Sequence, residues 1–597
     1  MTSPALAPSL AVLLMGQAPP AAEPSVAAGE APAVPAAPAF VPAERRDARA
    51  LAEAIEDLRK RYPARMTVRE IGTSAGKLPI HVLALSTGGE DAGRRPAILV
   101  VAGMDGTRWS GTEAALAAAE VLARDHEALL DEVTVFMVPR ANPDAAERFA
   151  AGPRRDHSGD GVIHDNDRDG RNEEDAPRDL DGDGIITRMR LAGARPPWTK
   201  PTLVADPAEP RLLRAPDPAT GEVPVFTAWA EGIDADGDGR IGEDWPGGID
   251  PERNFPHRWP EFEDEAGAYP LLAPESKALA EWVIANPQVF GALVLGRHDT
   301  VVTVPDGKAK TPSGMPAMLD ERDVLPYAEL AKAWREITGQ KRAEGRDAAG
   351  SLVAWMNAQR GVPTFASTLW GRPDLPPAAE GAAAAPKEGE ASAKDGGTRK
   401  ADRKPADEEG AAWLAYSDRV RGGSGFVPWH RVDHPQLDSV EVGGWVPGFR
   451  ENPPLEDVAA LGGKCASFLV RMAADRPRVT LSKPTAVALG PGIWRIDAAL
   501  ANVGRLPTVM RGGRVEGVTP AHVVRVSVPV DRVKSGRRID VVRGLDPGEV
   551  RDCSWVLAAP ADEAITVELL FNGVPVQAWI VRDGEVAAGG ASAGGTP

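Results

Sequence analysis

Three short acidic segments gather the side chains best suited to bind a metal. They are Asp165–Asp175 (DNDRDGRNEED), Asp179–Thr187 (DLDGDGIIT) and Asp234–Asp244 (DADGDGRIGED). Each repeats Asp-x-Asp-x-Asp-Gly. The alternate carboxylates are Asp165, Asp167 and Asp169 in the first, Asp179, Asp181 and Asp183 in the second, and Asp234, Asp236 and Asp238 in the third. The glycine that follows permits a tight loop, so several hard oxygens can converge on one Ca²⁺. The pairs Glu174-Asp175 and Glu243-Asp244 close the first and third repeats and can complete a shell. None has the twelfth-place Glu of an EF-hand, so structural calcium sites of modest affinity are expected. A single such loop also reads as a solvated acidic turn. Three of them close together favour the cation, because crowded carboxylates otherwise repel one another. Magnesium fits less well, since it keeps its waters.

The histidines suggest no second cluster. His430 and His434 have His-x-x-x-His spacing in VPWHRVDHPQ, but Pro428 and Pro435 bracket them closely. The spacing would align them only on a helix, so the pair is read as part of a loop. His157 and His164 lie among the acidic loops. Cys465 and Cys553 are the only cysteines, which excludes a disulfide-stapled scaffold and predicts buried free thiols.

Alternating strands and helices must position these groups. Helical periodicity covers Ala43–Arg61, and strand-like runs occur at Met66–Ile71, Ile80–Leu85, Ile98–Ala102 and Val133–Val138. Helices are expected at Thr112–Asp125, Pro274–Ala285 and Val458–Ala473, with an apolar strand at Val289–Leu295. Near-continuous apolar strands alternating with helices imply an α/β layered domain with a buried, largely parallel sheet. From Val479 the pattern turns to short β runs, including Val523–Val530, Ile565–Phe571 and Gln577–Val581, the signature of an all-β sandwich. The expected organisation is a signal peptide at 1–17, an Ala/Pro-rich linker at 18–42, an α/β domain at 43–475, a β-sandwich at 476–583 and a disordered tail at 584–597. Within the α/β domain, 153–250 is an acidic loop insertion and 376–409 a low-complexity one.

The net charge of −18 opposes nucleic acid and anionic membrane surfaces as partners. No apolar run is long enough to span a bilayer. The apolar stretch Leu10–Met15 followed by small residues reads as a signal peptide, so export to the periplasm, cell surface or medium is expected. A disordered leader is the alternative, since the n-region has no Lys or Arg.

Several fragments line up in order and spacing: AILVVAGMDGTRWSGTEAA, VPRANPDA, GGIDPERNFPHRW, LVLGRHD and GSLVAWMNAQRGVPTFASTLWG. Together they resemble the carboxypeptidase A-like zinc metallopeptidases over roughly residues 45–475. Asn142-Pro143-Asp144, Arg253-Asn254-Phe255 and the helix and strand before His298 carry most of the resemblance. The acidic insertion resembles an exported bacterial branch of that family. The resemblance implies an α/β/α domain with a zinc ion held by two His and one Glu, a water in the open position, a Glu general base, and arginines that hold the substrate carboxylate.

Carried over residue by residue, little of that chemistry remains. Asp105 and Arg108 stand at the first two ligand positions, and His298 matches the third. Asn357 stands where the substrate-capping Tyr is expected and Thr368 where the general base is expected. Glu252 replaces the first Asn of the Asn-Arg-Asn motif, while Arg253 and Asn254 remain as candidate holders of a peptide carboxylate. An arginine cannot deprotonate to make room for a dication, and a threonine cannot serve as a base near neutrality. Asp105 and His298 are then the only ligands left. Arg108 is expected to pair with Asp105, close to His298, and fill the metal cavity. The expected function is a pseudoenzyme that keeps a peptide- or carboxylate-binding pocket, and the alternative is an active exported metallocarboxypeptidase with an altered site. A purely structural, calcium-stabilised surface protein is a third class.

Overall fold

The computed structural model describes residues 40–88, 95–156, 158–162, 175–195, 200–235, 237, 239–242, 247–375, 406–517, 519 and 521–589. The expected signal peptide, most of both low-complexity stretches, His157, His164, Asp165, Asp167, Asp169, Glu174, Asp236, Asp238, Glu243 and Asp244 lie outside those residues.

The apolar runs form one six-stranded mixed sheet. Its order is β1 (Met66–Thr73), β2 (Pro79–Leu85), β4 (Thr134–Val138), β3 (Ala97–Ala102), β9 (Val289–Leu295) and β10 (Thr364–Ser367). The first two pairings are antiparallel and the last three parallel. Every residue of β3, β4 and β9 is buried, as expected of parallel strands covered on both faces. The cover comes from α1 (Ala48–Arg61), α2 (Trp109–Asp125), α3 (Glu127–Glu132), α4 (Pro143–Ala151), α5 (Pro274–Ala285), α6 (Val324–Thr338), the single turn α7 (Leu352–Trp355) and α9 (Leu455–Ala474). Helix α2 is alanine-rich and buried from Ser110 to Ala123, so α9 can approach closely. A Cβ at Gly462 of α9 would lie 2.5 Å from the Ala117 Cβ. Stacked Tyr327 and Phe365, at 4.2 Å, and edge-on Trp334 and Phe468, at 5.1 Å, fill the space between α6, β10 and α9.

The insertion expected to be loop contains strands. β5 (Arg188–Ala192) and β8 (Phe226–Ala230) join β12 (Asp438–Trp445) and β11 (Phe426–His434) in a four-stranded antiparallel sheet, order β11-β12-β5-β8. A two-stranded ribbon, β6 (Val204–Ala205) with β7 (Leu213–Arg214), lies between β5 and β8 in sequence. His430 and His434 therefore lie on a strand, not in a loop. Helix α8 (Glu408–Val420) begins inside the segment read as low complexity.

After α9 the chain is almost entirely β. One sheet holds β13 (Val479–Leu481), β15 (Ile493–Asn502), β19 (Val550–Ala558) and β17 (Val533–Ser535), with β14 (Thr485–Gly490) also on β15. The other holds β18 (Ile539–Val542), β16 (His522–Val526), β20 (Ile565–Phe571), β21 (Val574–Arg582) and β22 (Glu585–Gly589). All pairings are antiparallel, and alternate residues such as Ile496, Leu500, Val524, Trp555, Val567 and Leu569 form a common core. β22 occupies residues expected to be a disordered tail. A short helix, α10 (Arg511–Glu516), packs on the π-helical turn Met356–Arg360 of the α/β domain. No helix among the described residues is long and apolar enough to cross a membrane. Cys465 and Cys553 are free and buried.

Candidate metal and ligand site

β3 and β9 are parallel neighbours, so the segments leaving their C-terminal ends converge, which is where open α/β sheets place ligands. Gly103 leaves β3 with φ +63° and the Arg140 Cα so close that a Cβ would come within 2.9 Å of it. The turn then presents Asp105 and reaches Arg108, the N-cap of α2. Asp105 Oδ1 accepts the Thr107 N–H at 3.0 Å, and Asp105 Oδ2 lies 3.6 Å from Arg108 Nε. The expected Asp105–Arg108 ion pair is therefore present, at long range, with Arg108 Nε buried and lacking a hydrogen-bond acceptor.

A different residue meets His298. Glu252, in the 3₁₀ turn Pro251–Arg253, brings Oε2 to 2.7 Å from His298 Nε2, both side chains being 2% exposed. The contact is not aligned as a hydrogen bond, and Glu252 Oε1 has no partner either. On the other side of the ring, His298 Nδ1 lies 3.2 Å from the Arg346 carbonyl. Both ring nitrogens thus face oxygen atoms. Glu252, expected only as a replacement for the first Asn of its motif, lies beside His298 because the tight turn at Asp250 aims it inward. Asp250 Oδ1 accepts the Glu252 N–H at 2.9 Å, while its Oδ2 accepts from Ser158 Oγ at 2.9 Å and from the Arg297 guanidinium. Burial works against the charge of Arg297, yet the carboxylates of Asp250, Asp105 and Glu252 hold its pKa above the ordinary value.

Beside this cluster is a cavity of about 120 Å³. Its walls carry four carboxylates, Asp105, Asp156, Glu265 and Glu451, against one cation, Arg346, with Thr107 and Ser158 between them. Crowding by surrounding protein, together with Glu451 and Asp105, pushes the Asp156 carboxyl up to about 7, although the residue is exposed to solvent.

The remaining expected site residues are committed elsewhere. Arg253 pairs with the Glu263 carboxylate, and its buried Nε has no acceptor. Asn254 uses its whole amide: Nδ2 donates to the Ala266 and Tyr269 carbonyls at 2.7 and 3.0 Å, and Oδ1 accepts from Ala273 N–H and Ser276 Oγ at 2.9 and 3.0 Å. It fastens the turn to the start of α5 and has no group left for a ligand. Asn357 clamps Thr364, donating to its carbonyl at 2.8 Å and accepting its N–H at 2.9 Å. Thr368 Oγ1 donates to the Trp370 carbonyl and accepts from Gln340 Nε2, at 2.9 and 3.0 Å.

A second cluster forms in the acidic insertion. Ligand oxygens of Asp179, Asp181 and Glu231 lie within 4.8 Å of one another. Asp183 is not part of this group. Its Oδ1 accepts the Ile185 N–H at 2.8 Å, while Asp179 accepts from Gly182 and Gly184 at 2.7 and 2.9 Å. Glu231, fully buried just after β8, accepts from Leu180 and Thr187 at 2.6 and 3.0 Å. Burial, then the charges of Asp181 and Asp179, raise the Glu231 pKa, and burial likewise raises that of Asp183. Asp181 Oδ2 also meets His430 Nε2 at 3.0 Å, whereas His434 turns inward to the Gly232 carbonyl at 2.9 Å. In the third loop Asp234 accepts from Gly237 and Gly239 at 2.6 and 3.2 Å, and Asp175 receives the Ala235 N–H, tying the end of the first loop to the third. Glu231 has no motif around it, so only its proximity in the fold reveals it.

A family model described as zinc carboxypeptidase matches residues 51–186, and a model of a domain of unknown function matches residues 478–572. No curated protein matches. Solved structures similar to the chain include thrombin activatable fibrinolysis inhibitor, at 14% identity and TM-score 0.32 over 54% of this chain and 65% of that one. Carboxypeptidase A of Helicoverpa armigera gives 14% and 0.31 over 54% and 63%, and a metallo-carboxypeptidase of Burkholderia cenocepacia 12% and 0.28 over 53% and 59%. The chain thus spans less than two thirds of the length of each. Over residues 51–186, which hold the first four strands of the mixed sheet, the chain is thus similar to the zinc carboxypeptidase family.

Proposed function

We propose that the carboxypeptidase-like domain is a catalytically inactive binding module of an exported protein. The contact between Glu252 and His298 carries this reading. With the Glu252 carboxylate 2.7 Å from Nε2 and the Arg346 carbonyl 3.2 Å from Nδ1, both edges of the ring are already occupied by this chain's own oxygens. Arg108 places a permanent cation at the second ligand position, and Arg297 adds another nearby. Among the described residues, the only three ligand atoms within 4.8 Å of one another are those of Asp179, Asp181 and Glu231, away from His298. The donors at the family's metal position therefore do not fit a zinc ion. Thr368, at the general-base position, has its hydroxyl engaged with Trp370 and Gln340 and no proton affinity suited to the task.

The pocket's ligand is a peptide group by family, and the local charge favours its basic end. Arg253 is paired with Glu263 and Asn254 is consumed, so neither is poised for a carboxylate as the motif alone suggests. The four carboxylates of the cavity favour an amino group or a basic side chain instead. The acidic insertion acts as a structural calcium site built on Asp179, Asp181 and Glu231.

The alternative, an active metallocarboxypeptidase with an altered metal site, draws on the family match and on Glu252 being a ligand-type residue beside His298. Metal analysis of the purified protein together with hydrolysis of C-terminal dipeptide substrates separates the two. Stoichiometric zinc with chelator-sensitive turnover refutes the inactive reading.

A further inference from the structure

The segment between β9 and α6 and the short helix α10 together enclose a cavity of about 630 Å³. Lys308, Lys310, Arg322, Arg511 and Arg514 line it, against Asp320 and Glu321. In a chain of net charge −18, a concave surface of this sign runs against the overall field. Internal pairing does not account for it. Arg511 and Arg514 share a single carboxylate, Asp546. Lys310 Nζ takes Asp320 at 3.1 Å. Lys308 and Arg322 are exposed; their backbone N–H groups donate to Asp306 and Asp320 at 2.9 and 3.2 Å, and the Arg322 charge helps hold the Asp320 carboxyl below its usual range, but neither side chain makes a hydrogen bond or close ion pair with a described residue. Five cations therefore face four carboxylates, Asp320, Glu321, Asp323 and Asp546. Arg511 Nε is buried without an acceptor, although the Arg511 N–H is fixed on Asp323 Oδ2 at 2.8 Å and Arg514 Nε on the Val509 carbonyl at 2.7 Å. The two arginines are thus held in place by the fold, while the exposed side chains of Lys308 and Arg322 can swing onto a ligand.

We infer that this cleft binds a small polyanion bearing two or more phosphate groups. Guanidinium forks match phosphate oxygens, ammonium groups neutralise the remaining charge, and the volume exceeds what a single phosphate fills. A nucleic acid polymer is disfavoured, because the rest of the surface repels a long run of phosphates.

The test is calorimetric titration of inorganic tripolyphosphate into the full chain at low ionic strength. Calcium-free buffer is required because tripolyphosphate chelates that cation. The expected result is saturable binding at one site per chain. The variant Lys308→Ala/Arg322→Ala should weaken it roughly tenfold or more through loss of two charge-assisted contacts. The same variant should keep the wild-type unfolding temperature without ligand, since neither side chain holds a structural contact. Absence of wild-type binding, or equal binding by the variant, overturns the site. Citrate binding as tightly as tripolyphosphate overturns the assignment to phosphate.

Discussion

Replacing Glu252 by glutamine keeps the shape of the side chain and removes its charge from beside His298. The two groups lie 2.7 Å apart and each is 2% exposed, so water screens them little. Breaking a buried pair by removing one partner typically costs about 3–5 kcal/mol once desolvation is included. Spread over the roughly 430 residues of the α/β domain, whose unfolding entropy is about 0.9 kcal/mol/K, this lowers the unfolding midpoint by about 4 °C. Differential scanning calorimetry of Glu252→Gln, His298→Gln and the double variant completes a thermodynamic cycle. The double variant should be less destabilised than the sum of the singles, with a coupling of about 2 kcal/mol or more. Additive effects, or single variants within about 0.5 kcal/mol of wild type, would refute the pairing of Glu252 with His298.

Calcium at saturation, about 100 times its Kd, should stabilise the chain by about 2.7 kcal/mol relative to EGTA, and Glu231→Gln should abolish the shift seen in thermal unfolding. Without calcium, the raised pKa values of Glu231 and Asp183 fix the sign of the pH dependence: their contribution is present below the unfolded carboxyl pKa and is lost as pH rises through the folded one. Stability without calcium should therefore fall with rising pH above the carboxyl range, and calcium should flatten that slope. Asp156, pushed up to about 7, should titrate near neutrality by NMR, and Asp156→Asn should be more stable than wild type above pH 7 but not below pH 4. Asn254→Ala removes a fully bonded buried amide and should cost about 3 kcal/mol in urea unfolding, whereas a ligand-binding role alone would leave stability unchanged.

The layered fold was legible because burial on both faces leaves a plain mark. Ile98–Ala102 and Val289–Leu295 are unbroken apolar runs, and they became adjacent central strands. In the C-terminal region the alternation along β15 marks one buried and one open face. The sheet β11-β12-β5-β8 was not legible, since Arg188–Ala192 pairs with Asp438–Trp445 some 250 residues away and no local pattern announces the partner. His430 was misread for the same reason: bracketing prolines suggest a loop, yet a pairing irregularity between Val427 and His430 lets the strand accommodate Pro428. At the candidate site, motif spacing pointed to Asp105, Arg108 and His298. It could not show that Glu252 would swing onto the imidazole, that Asn254 would be spent on α5, or that Glu231 would join the second acidic loop. Those facts belong to tertiary contact, which residue spacing does not encode.

The claim of lost catalysis is tested most directly by zinc content measured alongside hydrolysis. The protein, dialysed against excess zinc and then freed of loose metal, is assayed by atomic emission and with a panel of C-terminal dipeptides. The account predicts well under one zinc per chain and no turnover above a denatured control. One zinc per chain, lost on His298→Ala together with measurable hydrolysis, would contradict it.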